Sequence, residues 1–543
     1  MITRLQNREY AWQYPKSSWI PVLGLALALL GGCSGGHQAV DGSQLRRGLG
    51  GEPATLDPTA AADTFSTEVL RDLYEGLTTE SADGSVVPGV AESWTVGEGG
   101  KEYVFKLRPT ARWSNGQPVL AQQFVASWRR VVDPKSGSPV ADELRLVSGA
   151  TDIIAGRASP DTLGVSSPDS HTLTVRLVKP AGYFPQTLAQ PGTYPVFSMT
   201  SGSSHSPDTL ISNGAYALQS WVPGSSIKLR RNGYYWDTRA VHIPQVLYLF
   251  QSDENAQYAD FRAGQLDLTD TVPAQLVPEL RRADARELLL SPILTTAYYG
   301  LNLRYPPFSN NAKLRQALSM SIDRRKLVDT LGSGLLPAFG FVPPGTWNYT
   351  PQEMPWKNLG DPARVAAAKE LYSEAGYSKE HPLRLRLLYN ANTSNKRIAV
   401  IVSEMWKETL GVEVALIEEE YRVFLESRHD DSRWDVVRLA WAADYDDAGN
   451  FLDIFRTNAV TNDEGYDNRF VDALLEQAAE TEDSQSRRQH LQEVEKQVLD
   501  DQPIIPLTYM VARRLVKPYV LGVRPNALNH LNSKWLTVEP NAT

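Results

Sequence analysis

The alternation of apolar and polar positions divides the chain near residue 300. Before this point, short runs rich in β-branched and aromatic residues predict strands. These runs are YVFKLR (103–108), HTLTVRL (171–177), SIKLRR (226–231) and QVLYLF (245–250). After it, stretches with helical spacing alternate with stretches in which every second residue is apolar. The pattern therefore predicts an α/β protein with two differently built regions.

The second region contains a predicted β-α-β unit. Residues 383–387 alternate leucine with arginine as in a strand, a helical pattern covers 395–410 and stops before Gly411, and alternation resumes at 412–416. The helix before this unit is expected to have Asp361 as its N-cap, because a proline follows it. A β-α-β unit normally forms two parallel strands with a right-handed crossover.

A further predicted strand, DVVRLAW (435–441), is followed by three carboxylates: Asp444, Asp446 and Asp447. Ligands of open α/β sheets bind beyond the carboxyl ends of the strands. The pattern leaves four interpretations open: an acid/base pair as in a glycosidase, a metal site, a ligand anchor or a solvated turn. Asp444 is therefore a candidate to face a crevice, with a solvated acidic turn as the alternative.

Composition and charge narrow the function classes. The net charge of this 543-residue chain is −9, whereas a nucleic-acid partner would need a basic face. One cysteine allows no internal disulfide and no cysteine-based metal cluster. The eight histidines show no metal-ligand spacing, and no P-loop, GxGxxG or HExxH motif occurs. The sequence therefore predicts a non-enzymatic protein without a cofactor or metal and without a nucleic-acid partner.

The N-terminus has the features of a secretion signal. An apolar run at 19–30 is too short for a membrane span, which needs about 20 residues, and follows a positively charged segment. Leu30-Gly31-Gly32-Cys33 resembles the bacterial lipobox, in which the cysteine is lipidated. The resemblance implies a signal peptide at 1–32, a tether at 33–44 and a periplasmic protein anchored to a membrane at Cys33. An ordinary cleaved signal or a short membrane anchor are the alternatives.

Ten segments occur in the order typical of one family. They are EPATLDP (52–58), RDLYEGL (71–77), PGVAESW (88–94), WSNGQPVLAQQFVASW (113–128), NGAYAL (213–218), RNGYYWD (231–237), FRAGQLDL (261–268), LRQALSMSIDRRKLV (314–328), RLAWAADY (438–445) and ARRLVKPYV (512–520). Through them the chain resembles the periplasmic oligopeptide-binding proteins, which are extracellular solute-binding proteins of family 5. Members of this family are the receptors of peptide ABC importers.

The resemblance implies a bilobal α/β fold of the type II periplasmic-binding-protein class (cluster C), with an extra domain inserted in the first lobe. It assigns domain I to 34–74, 201–295 and 511–543, domain II to 75–200, and domain III to 296–510. A monomer is expected to enclose an extended oligopeptide between the lobes and deliver it to a permease and ATPase complex. Main-chain bonds to the peptide would make binding tolerant of peptide sequence.

The resemblance also implies the peptide-binding residues. Asp444 would hold the peptide amino group, Trp441 would line a pocket, and Arg438 would meet a ligand carboxylate, for which arginine is well suited. The other expected contacts are Ala440, Ala442, Tyr445, Tyr421, Arg428, His429, Asn395 and the loop residues Asp63, Thr64 and Phe65.

Three departures from the family pattern bear on specificity. An acidic residue of the domain I loop is replaced by Ala62, and a histidine that helps to bind longer peptides is replaced by Asn395. The family disulfide positions correspond to Thr295 and Ala442. Two alternatives stay open: a receptor of the same fold for a dipeptide, murein peptide, metal chelate, opine or sugar, and a peptide-sensing signalling lipoprotein.

Overall fold

A computed structural model describes residues 42–97, 99–197, 209–443, 445–457, 459, 461–481 and 483–539. The predicted signal segment, Cys33 and Asp444 lie outside these residues. In the part of the chain that is described, no helix has the length and apolar character of a membrane span.

The strands and helices are numbered here in chain order. The strands are β1 (Gln44–Leu49), β2 (Thr78–Glu80), β3 (Val86–Pro88), β4 (Ala91–Gly97), β5 (Glu102–Leu107), β6 (Val165–Asp169), β7 (Thr172–Arg176), β8 (Tyr216–Val222), β9 (Ser226–Arg231), β10 (Gln245–Phe250), β11 (Leu288–Leu301), β12 (Leu336–Pro337), β13 (Arg384–Asn390), β14 (Glu413–Glu419), β15 (Val436–Ala442), β16 (Ile504–Leu515), β17 (Val520–Leu521) and β18 (Thr537–Val538). The helices are α1 (Thr64–Leu73), α2 (Ala121–Val132), α3 (Ala150–Ile154), α4 (Phe184–Thr187), α5 (Glu254–Arg262), α6 (Val277–Ala283), α7 (Ala312–Ser321), α8 (Arg324–Leu331), α9 (Asp361–Glu374), α10 (Thr393–Leu410), α11 (Tyr421–Ser427), α12 (Ala448–Leu452), α13 (Arg469–Glu480) and α14 (Ser484–Asp501).

The first lobe contains two four-stranded sheets. One has the order β1-β10-β9-β8, with β1 parallel to β10, and the other is antiparallel with the order β4-β5-β7-β6. The second sheet lies within 75–200, the segment assigned to the extra domain. Buried residues of both sheets form one continuous hydrophobic core, so the two sheets pack as a unit. The exact domain boundaries stay a prediction.

The second lobe is built on a six-stranded sheet with the order β12-β16-β11-β15-β13-β14. The predicted β-α-β unit is present, because β13 and β14 pair in parallel and α10 connects them. Gly411 ends α10 in the left-handed conformation with φ +80°, as the sequence indicated. The cap of α9 is Gly360 instead of Asp361, which is the first helical residue. Separate hydrophobic clusters pack against this sheet.

Two long strands, β11 and β16, connect the lobes. Near the first lobe, 288–292 pairs with 511–515, and in the second lobe 296–300 pairs with 504–509. The register shifts between Pro292 and Thr296. A second shift lies between Ala297 and Tyr298, so the pairing is irregular from 292 to 298, and the strand pair can bend most easily there.

Two buried glutamates of the second lobe differ in how their charge is accommodated. Glu495 accepts four hydrogen bonds, from the main-chain N–H groups of 341, 342 and 352 and from the Tyr349 hydroxyl, at 2.7–2.9 Å. Glu464 is fully buried beside Gly300, and its carboxyl oxygens meet no hydrogen-bond donor of another described residue. Burial raises the pKa of Glu495 to about 7 and that of Glu464 to about 8.

We predict that Glu464→Gln stabilises the protein at pH 8. Between the unfolded carboxyl pKa of about 4.3 and the folded value of about 8, the folded protein keeps a proton that the unfolded chain releases. The free energy of unfolding therefore falls as pH rises through this window. Urea titrations at pH 5 and pH 8 should show that the free energy of unfolding falls less for the variant than for wild type. At pH 8 the variant should be more stable than wild type by on the order of a few kcal/mol.

Glu495→Gln is the matched control. A glutamine places an NH₂ group against main-chain N–H donors, so this variant should lose about 1–3 kcal/mol at pH 5. Because the pKa of Glu495 is also raised, to about 7, the loss should be smaller at pH 8. Destabilisation at pH 5 thus distinguishes Glu495→Gln from Glu464→Gln. Equal pH dependence in wild type and Glu464→Gln would contradict the assignment of a buried, protonated Glu464.

Candidate functional site

The carboxyl ends of three strands meet at one edge of the six-stranded sheet. Strands β13, β14 and β15 are parallel to one another in this sheet, and α10 and α11 begin directly after β13 and β14. Asn395, expected in the site, is buried here and donates from Nδ2 to Asn390 Oδ1 at 2.9 Å. Its amide therefore joins the start of α10 to the end of β13.

Strand β15 presents small side chains on one face. Val437 and Leu439 are buried on the other face, whereas Ala440 and Ala442 are exposed. Arg438 is partly buried on the same face as the alanines and pairs in register with Tyr299 of β11. Trp441 donates from Nε1 to Asn450 Oδ1 at 3.0 Å, which fixes its ring beside α12. The two alanines leave the strand backbone accessible to a ligand.

The three residues after Asp444 are each held by a different element. The Tyr445 ring stacks on Tyr183 of the first lobe, with centroids 4.7 Å apart and planes within 6°. Asp446 Oδ1 accepts from the Trp347 N–H at 2.7 Å, and burial raises the pKa of Asp446 to about 6. Asp447 caps α12 by accepting from Gly449 N–H. Asp446 and Asp447 thus shape the turn, with Asp447 buried and Asp446 partly buried.

Asp447 also forms a buried ion pair. Arg487 binds it through both terminal guanidinium nitrogens, each 2.7 Å from a carboxylate oxygen, and its guanidinium carbon lies 5.4 Å from the Tyr183 ring centroid. Bidentate pairing of this kind fixes geometry as well as charge. The turn that follows Asp444 is therefore rigid on its carboxyl-terminal side.

Two adjoining cavities border this turn. A groove of about 220 Å³ is lined by Gln190, Ile293, Leu294, Thr295, Ala442, Ala443, Ala527, Leu528, Asn529 and His530. A larger cavity of about 510 Å³ is lined by Asp142, Glu143, Arg145, Leu146, Tyr183, Thr187, Gln190 and Tyr445. Asp444 is the residue between Ala443 of the first lining and Tyr445 of the second. Both linings combine residues of the two lobes, so they mark a cleft between them.

The loop of the first lobe that contains Asp63 has a structural role. Asp63 caps α1, accepting from Ser66 N–H at 2.8 Å, while Thr64 is exposed. The Phe65 ring covers Gly51, where a Cβ atom would lie 2.5 Å from it. None of the three expected loop residues lines either cavity.

Arg428 and His429 are not brought together with the other expected site residues. They follow α11, which ends on the side of the sheet where β15 begins, opposite to Ala442. His429 Nδ1 is 2.9 Å from an Asp463 oxygen, and Arg428 Nε is 3.7 Å from the other. Asp463 is therefore a partner of both side chains, and their contact with a peptide stays a prediction. Tyr421 is the first residue of α11, and its side chain is not among the described parts of the structure.

The structure also shows where the family's disulfide positions lie. Thr295 and Ala442 are directly opposite each other in the β11–β15 register, as the positions of a cross-strand disulfide must be. Within the described residues, no group of three or more His, Cys, Asp or Glu side chains could hold a metal ion. Sequence reasoning missed Tyr183 and Gln190, which no motif distinguishes and which only the packing of the lobes brings to the cleft.

Comparison with known proteins identifies the family. Residues 85–463 match the bacterial extracellular solute-binding proteins, family 5. The chain belongs to this family. Its members are solute-binding receptors, and the predicted bilobal fold is thereby confirmed.

Several family 5 proteins are similar over nearly the whole chain. The periplasmic oligopeptide-binding protein OppA of Escherichia coli (strain K12) is 35% identical over 91% of this chain and 92% of its own. A probable deoxycholate-binding periplasmic protein, YgiS, of the same strain is also 35% identical, over 90% and 92%.

Solved family 5 structures give the same result. The murein tripeptide binding protein MppA in its unliganded open form is 35% identical, with a TM-score of 0.87 over 91% of this chain and 97% of that one. OppA of Haemophilus influenzae in complex with the peptide RPPGFSPFR is 31% identical, with a TM-score of 0.67 over 91% and 99%. The fit to the open form agrees with the cavities left between the lobes.

We predict that Arg487→Met destabilises the protein more than Asp447→Asn. The first change leaves a carboxylate that is 2% exposed without its cation, at a cost of about 3 kcal/mol. The second keeps an oxygen that can cap α12, so its cost should be about 1 kcal/mol. Thermal unfolding followed by circular dichroism measures both, and wild-type stability of Arg487→Met would contradict a structural role for the ion pair.

Proposed function

We propose that the chain is the solute-binding receptor of a peptide ABC importer, which encloses an extended oligopeptide between its lobes and delivers it to the membrane permease. The observation that carries the proposal is the wall formed by Ala442, at the end of β15, and by Ala443 and Tyr445 after it. These residues line two adjoining cavities of a cleft, and the turn that follows Tyr445 is rigid. Relatives named for oligopeptide and murein tripeptide binding support this class of ligand.

In the proposed binding mode, affinity does not depend on the identity of the peptide side chains. An extended peptide offers the same N–H and C=O groups whatever its sequence, so a strand with small side chains can bond to any of them. Ala440 and Ala442 supply such a surface. Cavities larger than one side chain can retain water around the peptide at modest cost. Peptide length and side-chain preference then depend on what fixes the ends of the ligand.

Asp444 is proposed to fix the amino end. Its carboxylate would accept a charge-assisted hydrogen bond from the peptide ammonium, worth about 1.5–3 kcal/mol. Arg438, on the same face of β15 as the alanines, is proposed to meet a ligand carboxylate. Nothing in this scheme requires a covalent step, in agreement with a family of receptors.

The cellular location is proposed from the N-terminus. A lipid at Cys33 would anchor the receptor to a membrane in the bacterial periplasm, and the polar segment 33–44 would let the two lobes reach the importer. Periplasmic relatives support the compartment.

We predict that Asp444→Asn weakens binding of peptides with a free amino group by about 2–5 kcal/mol, because a buried ammonium loses its anion. In calorimetry, acetylating the peptide N-terminus should weaken binding to wild type and have little further effect on the variant. Asp446→Asn is the control, since its oxygen can still accept from Trp347 N–H. Wild-type affinity in Asp444→Asn would contradict the anchor.

We predict that Cys33→Ala moves the protein from the membrane fraction to the soluble periplasmic fraction. The change removes the only cysteine and thus the only site of a thioether-linked lipid. Fractionation of cells that express each form, with metabolic labelling by a fatty-acid analogue, measures the difference. Unchanged membrane association of the unlabelled variant would instead support an uncleaved apolar anchor.

A further inference from the structure

Gln190 lies where the two cavities of the cleft meet. It follows α4 in the first lobe and is partly exposed. Among the described residues, it is shared by the lining of the 220 Å³ groove and that of the 510 Å³ cavity. The opposite walls are formed by Ala442, Ala443 and Tyr445. A ligand that extends through both cavities must therefore pass this side chain.

Arg71 fixes the direction of the Gln190 amide. Its Nη2 donates to Gln190 Oε1 at 2.9 Å, and its Nη1 donates to the carbonyl of Ala189 at 3.0 Å. An arginine can only donate, so the amide oxygen must face Arg71. The NH₂ group of Gln190 then faces the cleft, and it has no hydrogen-bond partner within the described part of the chain. Gln190 thus offers two donors to a ligand and no acceptor.

A buried chain of polar groups holds Arg71 in place. Its Nη2 is 3.1 Å from Nε2 of His530, and Nδ1 of His530 is 2.8 Å from a carboxylate oxygen of Glu80. Since Arg71 donates, His530 Nε2 must accept, and the single imidazole proton lies on Nδ1 toward Glu80. Burial and the neighbouring Arg71 lower the pKa of His530, in agreement with a neutral ring.

This chain of contacts fixes the orientation of the Gln190 amide. Arg71 and Glu80 are both buried, and groups of this kind are costly to bury unless every member is bonded. Each bond in the series Glu80–His530–Arg71–Gln190 has one possible direction, so the series fixes the final amide. Groups that bind ligands with defined geometry are commonly held by such a second layer of bonds.

We propose that Gln190 donates a hydrogen bond to a main-chain carbonyl oxygen of the bound peptide, at the end of the peptide that lies against Ala443 and Tyr445, and that Arg71 is the residue that positions it. The inference rests on the proposed function. It adds a contact from the first lobe that binds the peptide backbone and does not depend on the peptide side chains.

The test compares Gln190→Leu with wild type on thioamide peptides. Tri-, tetra- and penta-alanine are titrated by calorimetry, each as the normal peptide and with sulfur replacing the carbonyl oxygen of the first or second peptide bond. Sulfur is a weak acceptor. In wild type, one of the two replacements should weaken binding about 3- to 10-fold, the usual range for a neutral hydrogen bond. We call this loss of affinity on sulfur replacement the sulfur penalty. In Gln190→Leu, the normal peptide should bind 3- to 10-fold more weakly than to wild type, and the sulfur penalty should vanish.

Two further variants sharpen the result. Gln190→Glu keeps the contact with Arg71 but turns an acceptor toward the peptide carbonyl, so its loss should be at least as large as that of the leucine. Arg71→Lys should reduce the sulfur penalty while Gln190 is still present, because a lysine cannot hold both Ala189 and Gln190. Gln497→Leu, on α14 outside both cavity linings, is the matched control and should change neither affinity nor penalty.

The outcomes separate the two proposals. Wild type that binds peptides, together with an undiminished sulfur penalty in Gln190→Leu, overturns the role of Gln190 and leaves the proposed function standing. A uniform loss of affinity in Gln190→Leu, without loss of the penalty, assigns Gln190 a structural role and also overturns the inference. Wild type that binds none of the peptides contradicts the proposed function itself.

Discussion

The pairing of β11 with β16 is the constraint on which the rest of the structure depends. Both strands are hydrogen-bonded within the second lobe and again near the first, and their register changes only between Pro292 and Thr296 and beside Ala297. The candidate site is attached to this same segment. Thr295 is the cross-strand partner of Ala442, and the N–H of Ala443 donates to the carbonyl of Leu294 at 2.9 Å. The position proposed to bind the ligand is therefore next to the position where the lobes are joined.

This arrangement would let a rigid anchor coexist with a cleft that closes on its ligand. The turn after Asp444 is held by Trp347 and Arg487 within the second lobe and by stacking on Tyr183 of the first. Residues near a hinge move little when lobes rotate, whereas residues far from it move most. A ligand end bound at the turn would keep its place while the opposite walls of the cleft approach. Asp446 and Asp447 are neighbours in sequence, but they have different partners, Trp347 and Arg487, and therefore different roles.

The features predicted from sequence are those encoded by local patterns. The alternation at 383–387, the helical spacing at 395–410 and the glycine at 411 each depend on neighbouring residues, so β13, α10 and the start of β14 follow from them. The strand β15, which ends at Ala442, follows for the same reason. The two-lobe architecture was predicted from the family resemblance, because no local pattern determines it.

Other features depend on contacts that sequence does not reveal. Arg428 and His429 match the family segment, yet Asp463, more than 30 residues later, is their partner. Gln190 reaches the cleft only because Arg71 and His530, distant in sequence, meet behind it. Such contacts arise from tertiary packing, and a single sequence carries no periodic signal for them.

The most direct test of the account is native mass spectrometry of the mature chain purified without refolding. A receptor that encloses peptides between its lobes should retain them, and gentle dissociation should release a series of masses whose fragments are amino-acid residues with free amino ends. Release of a sugar, a metal chelate, a bile acid or another non-peptide as the bound species would contradict the central claim that this cleft binds oligopeptides.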